Sequence, residues 1–315
     1  MNDLFELNRR TALKTIGAGI VGGAAMTGSA SARSSVPSDE IREHTVTGGD
    51  GIDIHVDETG AVDEPPILFI HGFSFSGLVW DDQLLSDLRE DFRLVAADMR
   101  GHGRSEKPDD AYAESELWAA DIQAVIDELE LDNPVLVGWS MGAQWIADYL
   151  SVEGEDDVSG VNLVGSAPLF EVEDPTTVFS EGVLGLFERG VLVSTDVEES
   201  ITGLDEFISL MTAEPLSPRE HVLLFGIVAT VPPRVRANLL AREVAYDDLL
   251  PEIESPVLIT HGEEEEVLLP GVARRICQAI PNARTSFYPG VGHMPFLEDP
   301  ERFNRELREF AAGLR

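Results

Sequence analysis

Five stretches of this chain are short and apolar through their centres: "PPILFIHG", "FRLVAADMRG", "PVLVGWS", "VSGVNLVGSAP" and "SPVLITHG". A strand with one wet face alternates apolar and polar residues. A strand apolar throughout is buried on both faces, as in parallel sheets covered by helices on each side. The intervening segments supply such helices, because "WDDQLLSDLRED", "ESELWAADIQAVIDELE" and "MGAQWIADYLSV" follow the first three strands in turn. The alternation predicts an α/β fold with a mostly parallel, doubly wound sheet. Ahead of it, "EHTVTGGDGIDIHVDE" reads as two short strands around a Gly-rich turn. The chain closes with the helix "GVARRICQAI", the strand "RTSFYPG" and the helix "PERFNRELREFAAGL".

The alternation breaks once. Residues 169–253 are helix-like without a clear strand, and include "TTVFSEGVLGLFERG", "LDEFISLM" and "PREHVLLFGIVATVPPRVRANLLARE". The expected organisation is therefore a core of residues 43–168 and 254–315, with a helical cap of residues 169–253 inserted after the sixth strand. An insert leaving the C-terminal end of a strand lies over the crevice where such sheets bind ligands, so a lid is expected. A further packing layer without a role in binding is the other reading.

Four motifs sit at strand ends: "FIHGFSFSG", "DMRGHGRS", "VLVGWSMGAQ" and "PGVGHMPFLEDP". In this order they resemble the α/β-hydrolase family over about residues 43–315, with most likeness to lidded carboxylesterases and the cofactor-free haloperoxidase or perhydrolase group. The resemblance implies that Ser140 is the nucleophile of a strand-to-helix turn. Such a Ser takes a strained backbone conformation to present its Oγ, and Gly138 and Gly142 remove the Cβ atoms that would collide there. The resemblance also implies an oxyanion hole from the N–H groups of Met141 and Phe73, and a base, His293, in the loop after the last strand. His71, His102, His44, His55 and His221 are expected to be structural.

The acid is where this chain departs from the family, which usually has Asp three residues after the Gly ending the penultimate strand. Here "HGEEEEVLLP" places Glu265 there, while counting back from Pro270 nominates Glu266 as the alternative. The remaining glutamates of the run read as surface. Ser at position 140 argues against the branches of the fold that form an ester on a carboxylate. No metal-ligand spacing occurs, and no cofactor is expected. The expected activity is hydrolysis of carboxylic esters through a Ser-His-Glu triad and an acyl-enzyme. Perhydrolysis on the same triad is an alternative, as is a non-catalytic ligand-binding protein on the same fold. Phe73, Phe75, Trp139 and the apolar cap segments suggest an apolar pocket for a small acyl substrate.

Charge bears on the setting. The 315 residues include 58 acidic and 22 basic ones, a net charge of −36, and only Lys14 and Lys107 are lysines. Such charge repels itself unless screened, and screening falls to about 3 Å at 1 M salt. The composition resembles proteins of extreme halophiles, especially haloarchaea. It disfavours nucleic acid as a partner, because there is no basic footprint. At the amino terminus Arg9-Arg10, a weakly apolar Gly/Ala-rich run and Ala30-Ser31-Ala32 resemble a twin-arginine export signal over residues 1–32, followed by a linker at 33–42. Export to the cell surface or medium is expected, with no stable membrane span once the signal is removed. The single cysteine, Cys277, excludes an intramolecular disulfide and is expected to be a buried structural thiol.

Overall fold

The structure, a computed structural model, describes residues 41–314. The expected export signal and most of the linker lie outside the described residues. The strands are β1 (Arg42–Thr47), β2 (Asp53–Thr59), β3 (Pro66–Ile70), β4 (Arg93–Asp98), β5 (Val135–Trp139), β6 (Gly160–Val164), β7 (Val257–Gly262) and β8 (Ala283–Tyr288). They form one sheet in the order β1-β2-β4-β3-β5-β6-β7-β8. β3 to β8 pair in parallel, and β1 and β2 add an antiparallel edge. Every residue of β3, β4, β5 and β6 is buried, which is why these strands read as continuous apolar runs. The edge strands β1 and β8 are partly exposed and correspondingly mixed in sequence.

Helices α1 (Asp81–Leu84), α2 (Ser115–Glu128) and α3 (Gly142–Val152) connect the first strands. The expected helix over "WDDQLLSDLRED" is broken into the four-residue α1 and a 3₁₀ turn at Asp87–Glu90. Ser86 is the cause: its hydroxyl donates to the Gln83 carbonyl and accepts from the Leu88 N–H, so the side chain competes with the helical ladder. α2 and α3 pack together through Trp118 and Trp145, stacked 4.6 Å apart.

Residues 169–253 carry α4 (Glu181–Arg189), α5 (Val197–Ser209), α6 (Pro218–Ala229) and α7 (Pro233–Leu240). Their ends are written locally. Ser180 caps α4, Asp196 caps α5, and Ser217 with Glu220 forms a capping box on α6 with Pro218 in the first turn. Among the described residues no single helix is long and apolar enough to cross a membrane. α6 and α7 pass that test only as a pair, bent by 81°. They bury Leu224, Ile227, Val228, Val235 and Leu239 within the protein. The insert is tied to the core by Arg242, which reaches Asp148 of α3 at 3.0 Å, both side chains buried, while Tyr246 donates to Asp148 at 2.6 Å. Removing one partner of such a pair costs about 3–5 kcal/mol, because the other charge stays buried.

α8 (Gly271–Ala279), α9 (Pro295–Glu298) and α10 (Pro300–Ala312) complete the fold. Cys277 on α8 is half-buried rather than buried, with its Sγ 3.7 Å from the Ala283 carbonyl. The strand order reverses between β3 and β5, so the loops leaving these two strands face each other across the crevice that forms where a sheet changes winding direction.

Candidate active site

Ser140 stands at the tip of the turn between β5 and α3. Its φ is 54°, in the left-handed region that a non-glycine residue occupies at a cost. The surroundings hold it there. Its N–H donates to the Val164 carbonyl at 2.9 Å, and its carbonyl accepts from Ala143 at 3.1 Å and Ala167 at 3.0 Å. The flanking glycines meet different neighbours. A Cβ on Gly138 would lie 2.8 Å from the Gly142 carbonyl, closing strand against helix as expected. A Cβ on Gly142 would lie 2.6 Å from the carbonyls of both Ile70 and His71, at the end of β3. The second glycine therefore admits the neighbouring strand, a contact that chain order does not reveal.

The loop after β3 brings Phe73 to the same place, and Phe73, Ser140 and Met141 line one cavity of ≈ 630 Å³. Among the described residues the N–H groups of Phe73 and Met141 donate no hydrogen bond. Two free donors beside a hydroxyl at a helix N-terminus suit an oxygen that acquires negative charge. His71 and His102 brace this loop from beneath. His71 Nδ1–H donates to the Gly72 carbonyl and its Nε2 accepts from the Met99 N–H, while His102 Nε2 accepts from the Ser74 N–H. Burial holds the pKa of His71 down to about 4 and that of His102 well below the usual histidine range, so both are neutral. His44, His55 and His221 pair with Glu58, Asp57 and Asp205, away from the cavity.

His293 arrives from the loop between β8 and α9, whose backbone is clamped on several sides. The His293 N–H donates to Met211 at 2.9 Å, and the Trp139 indole N–H donates to the His293 carbonyl at 2.8 Å. The Glu298 carboxylate accepts from the N–H groups of Gly292, Met294 and Ala213. The His293 side chain is buried against Trp139, with ring centroids 5.2 Å apart. Its Nδ1 lies 2.8 Å from Glu265 Oε2. Ser140 Oγ and His293 Nε2 make no hydrogen bond here, a contact that commonly tightens only once substrate is bound.

Glu265 sits three residues past Gly262, the last residue of β7. Of the four consecutive glutamates it alone is buried; Glu263, Glu264 and Glu266 are exposed. Its second oxygen, Oε1, accepts from the N–H groups of Val267 at 2.8 Å and Leu268 at 3.1 Å. Burial alone would raise its pKa. The charge and hydrogen bond of His293, with lesser help from His261 and the Leu268 N–H, outweigh that and hold it below the usual carboxylate value. Glu266, the alternative acid, meets the rest of the protein through its backbone carbonyl, which accepts from the Ser180 hydroxyl.

The cavity wall opposite Ser140 comes from residues 169–253, with Phe170, Phe179, Val183, Phe187, Phe207 and Leu239 among its apolar members. Of the three aromatics expected to line an apolar pocket, only Phe73 does so. Phe75 and Trp139 are 1% and 0% exposed and pack into the core against each other, 4.7 Å apart. The guanidinium at the cavity edge, Arg242, is already paired with Asp148. Among the described residues no cluster of three or more His, Cys, Asp or Glu could hold a metal ion. Three contributors have roles that sequence reasoning did not assign, Trp139 being expected in the pocket instead. Glu298 pins the loop of His293, Trp139 anchors its carbonyl, and His261 lies fully buried beside Glu265. Only His261 had a signal, as the first residue of the "HG" that precedes the glutamate run.

Residues 67–306 match the family model described as "Alpha/beta hydrolase family". The chain is 29% identical over 276 residues to the bifunctional esterase/perhydrolase DCH of Acinetobacter calcoaceticus, covering 84% of this chain and 98% of that protein. It is 28% identical over 275 residues to a non-heme chloroperoxidase of Streptomyces lividans, again covering 84% and 98%. Among solved structures, the esterase RhEst1 from Rhodococcus sp. ECU1013 superposes with a TM-score of 0.79 at 33% identity, covering 87% of this chain and 99% of that one.

Proposed function

The chain belongs to the alpha/beta hydrolase family and is an enzyme of the ester-hydrolase type, and from that premise we propose that it cleaves carboxylic esters with Ser140, His293 and Glu265 acting as a triad. The observation that carries this reading is the buried 2.8 Å contact between His293 Nδ1 and Glu265 Oε2, with the His293 ring packed on Trp139, the residue before Ser140. A carboxylate can only accept, so Nδ1 carries the proton and Nε2 is left as the lone pair that faces substrate chemistry. Ser140 Oγ attacks the ester carbonyl while Nε2 takes its proton. The N–H groups of Phe73 and Met141 receive the oxyanion, and each such donor contributes about 2.7–4 kcal/mol of transition-state stabilisation. The imidazolium then returns the proton to the departing alkoxide. Water, deprotonated by the same Nε2, releases the acid from the acyl-enzyme. Residues 169–253 act as a lid whose apolar side chains receive the acyl or alcohol group.

Perhydrolysis is the second reading, favoured by the likeness to an esterase/perhydrolase and a chloroperoxidase. In it hydrogen peroxide replaces water, and the acyl-enzyme yields a peracid. The test is a p-nitrophenyl ester series of increasing acyl length in molar salt, with and without peroxide, alongside a fluorophosphonate label mapped by mass spectrometry. Labelling at Ser140 and loss of turnover in Ser140→Ala are expected; full turnover in that variant overturns the assignment.

The setting is proposed on composition. Residues 1–32 direct export by the twin-arginine route, and the net charge of −36 adapts the protein to molar salt, as in haloarchaea. A mature protein that keeps residues 1–32, or one that stays folded in dilute buffer, contradicts the corresponding half of this proposal.

A further inference from the structure

His261 is the last residue but one of β7 and is fully buried. It touches neither the cavity nor Ser140. Its Nε2 lies 3.1 Å from the Leu268 carbonyl. A carbonyl only accepts, so Nε2 must carry the ring's proton. Nδ1 is then the unprotonated nitrogen, and among the described residues it has no hydrogen-bond partner. Burial lowers the pKa of His261, which keeps the ring in this single neutral form beside Glu265 and His293.

The Leu268 peptide is where several constraints meet. Its N–H donates to Glu265 Oε1 at 3.1 Å, and its carbonyl accepts from His261. The next N–H, of Leu269, donates to the Val178 carbonyl of the 169–253 segment at 2.8 Å, and Leu268 pairs with Phe179 in an isolated antiparallel bridge. The turn from Glu265 to Leu268 thus doubles back on the strand it left. Hydrogen bonds run in series from His261 through the Leu268 peptide and the Glu265 carboxylate to His293 Nδ1.

We propose that His261 is a positioning residue: by holding the Leu268 carbonyl it aims the Leu268 N–H at Glu265 Oε1, and so holds the other carboxylate oxygen on His293. This rests on the triad reading given above. The physical need is specific to a glutamate. Its side chain has one more rotatable bond than aspartate, so an unrestrained carboxylate swings away from the imidazole more readily. A second hydrogen bond to Oε1 removes that freedom only if its donor peptide is itself fixed. Residues that hold others in geometry matter at this scale, since a misplacement of about 1 Å in an active site can cost about 10²-fold in rate.

The two side-chain amides separate the proposal from simple packing. In His261→Gln the amide nitrogen takes the place of Nε2 and still donates to Leu268. In His261→Asn it takes the place of Nδ1 and does not. Turnover of a p-nitrophenyl ester by the full chain in molar salt is expected to stay within about threefold of wild type for Gln. For Asn, kcat is expected to fall by about 10²-fold with KM unmoved. Proton NMR supplies a readout independent of turnover. The far-downfield resonance of the His293 Nδ1–H, identified by its loss in Glu265→Gln, should persist in His261→Gln and shift or broaden in His261→Asn. Any other pattern, with both variants slow, both fast, or the resonance alike in the two, overturns the proposal. Failure of the triad reading is distinguished by Ser140→Ala, which would then retain turnover whatever His261 does.

Discussion

Replacing Glu265 by Gln tests the site at the atom where its geometry is most constrained. The change removes one charge and almost no volume, so packing is a minor part of the effect. What decides the outcome is which end of the amide faces His293. Oε1 of Glu265 accepts from two N–H groups, Val267 at 2.8 Å and Leu268 at 3.1 Å, and only an oxygen can replace it there. The amide is therefore locked with its NH₂ toward His293 Nδ1, where Oε2 now sits at 2.8 Å. An NH₂ donates, so Nδ1 must become the lone pair and Nε2 must carry the proton. The imidazole is left in the tautomer that cannot take a proton from Ser140. The same amide replacement in a Ser-His-Asp site costs about 10⁴ in kcat. At 1.36 kcal/mol per decade this is about 5.4 kcal/mol of lost transition-state stabilisation. The assay is the initial rate on a short-chain p-nitrophenyl ester in molar salt, with thermal melts confirming that the variant is folded. Glu265→Asp keeps the charge but is one methylene short of satisfying both His293 and the two N–H groups, so its rate should fall between the two. Glu266→Gln, at an exposed side chain, should match wild type. A Glu265→Gln enzyme within tenfold of wild type refutes the tautomer argument.

Two further outcomes follow from contacts and burial. In Gly72→Ala the new Cβ would lie 2.8 Å from Ser140 Cβ, so the variant should lose about 1–3 kcal/mol of stability and about 10²-fold in kcat. Gly226→Ala, with nothing within 4 Å, is the matched control in the same melts and rates, and equal behaviour of the two refutes the steric reading. His71, held down to about 4 by burial against 6.5 for the free side chain, gives a pH dependence of definite sign. Between these values the unfolded chain binds the proton and the folded chain does not. Stability is thus unaffected above about 6.5 and falls as pH drops toward 4, by about 3 kcal/mol in all. His102 and His261, lowered by burial too, act in the same direction. His71→Gln removes one titration, and Tm plotted against pH should be less steep over this window. A slope as steep as wild type contradicts the assignment.

Much of this protein is decided by local pattern. Strands buried on both faces must be apolar throughout, so β3, β5 and β6 are visible as runs, and the parallel sheet follows from the helices between them. Ser140 between two glycines is equally visible, because close backbone approaches leave no room for a Cβ two residues to either side of it. The helix ends in residues 169–253 are marked by Ser180, Asp196 and Ser217. The break in the first expected helix depended on one hydroxyl, Ser86, choosing the backbone over water, and periodicity does not register that choice.

The site itself needed the third dimension. Residues 265 and 293, far apart in the chain, meet at 2.8 Å through the strand order, and pattern along the chain carries no distances between strands. Four consecutive glutamates are indistinguishable by composition. Only the turn after β7 buries one of them and leaves the other three in water. Phe73 and Phe75 are alike as residues, yet the positive φ of Ser74 between them helps turn one into the cavity and the other into the core. The sequence by itself marked the buried strands and the serine flanked by glycines, since each is a pattern of residues close together in the chain. Tertiary structure decided which carboxylate meets His293, because that 2.8 Å contact joins residues that only the folded sheet brings together.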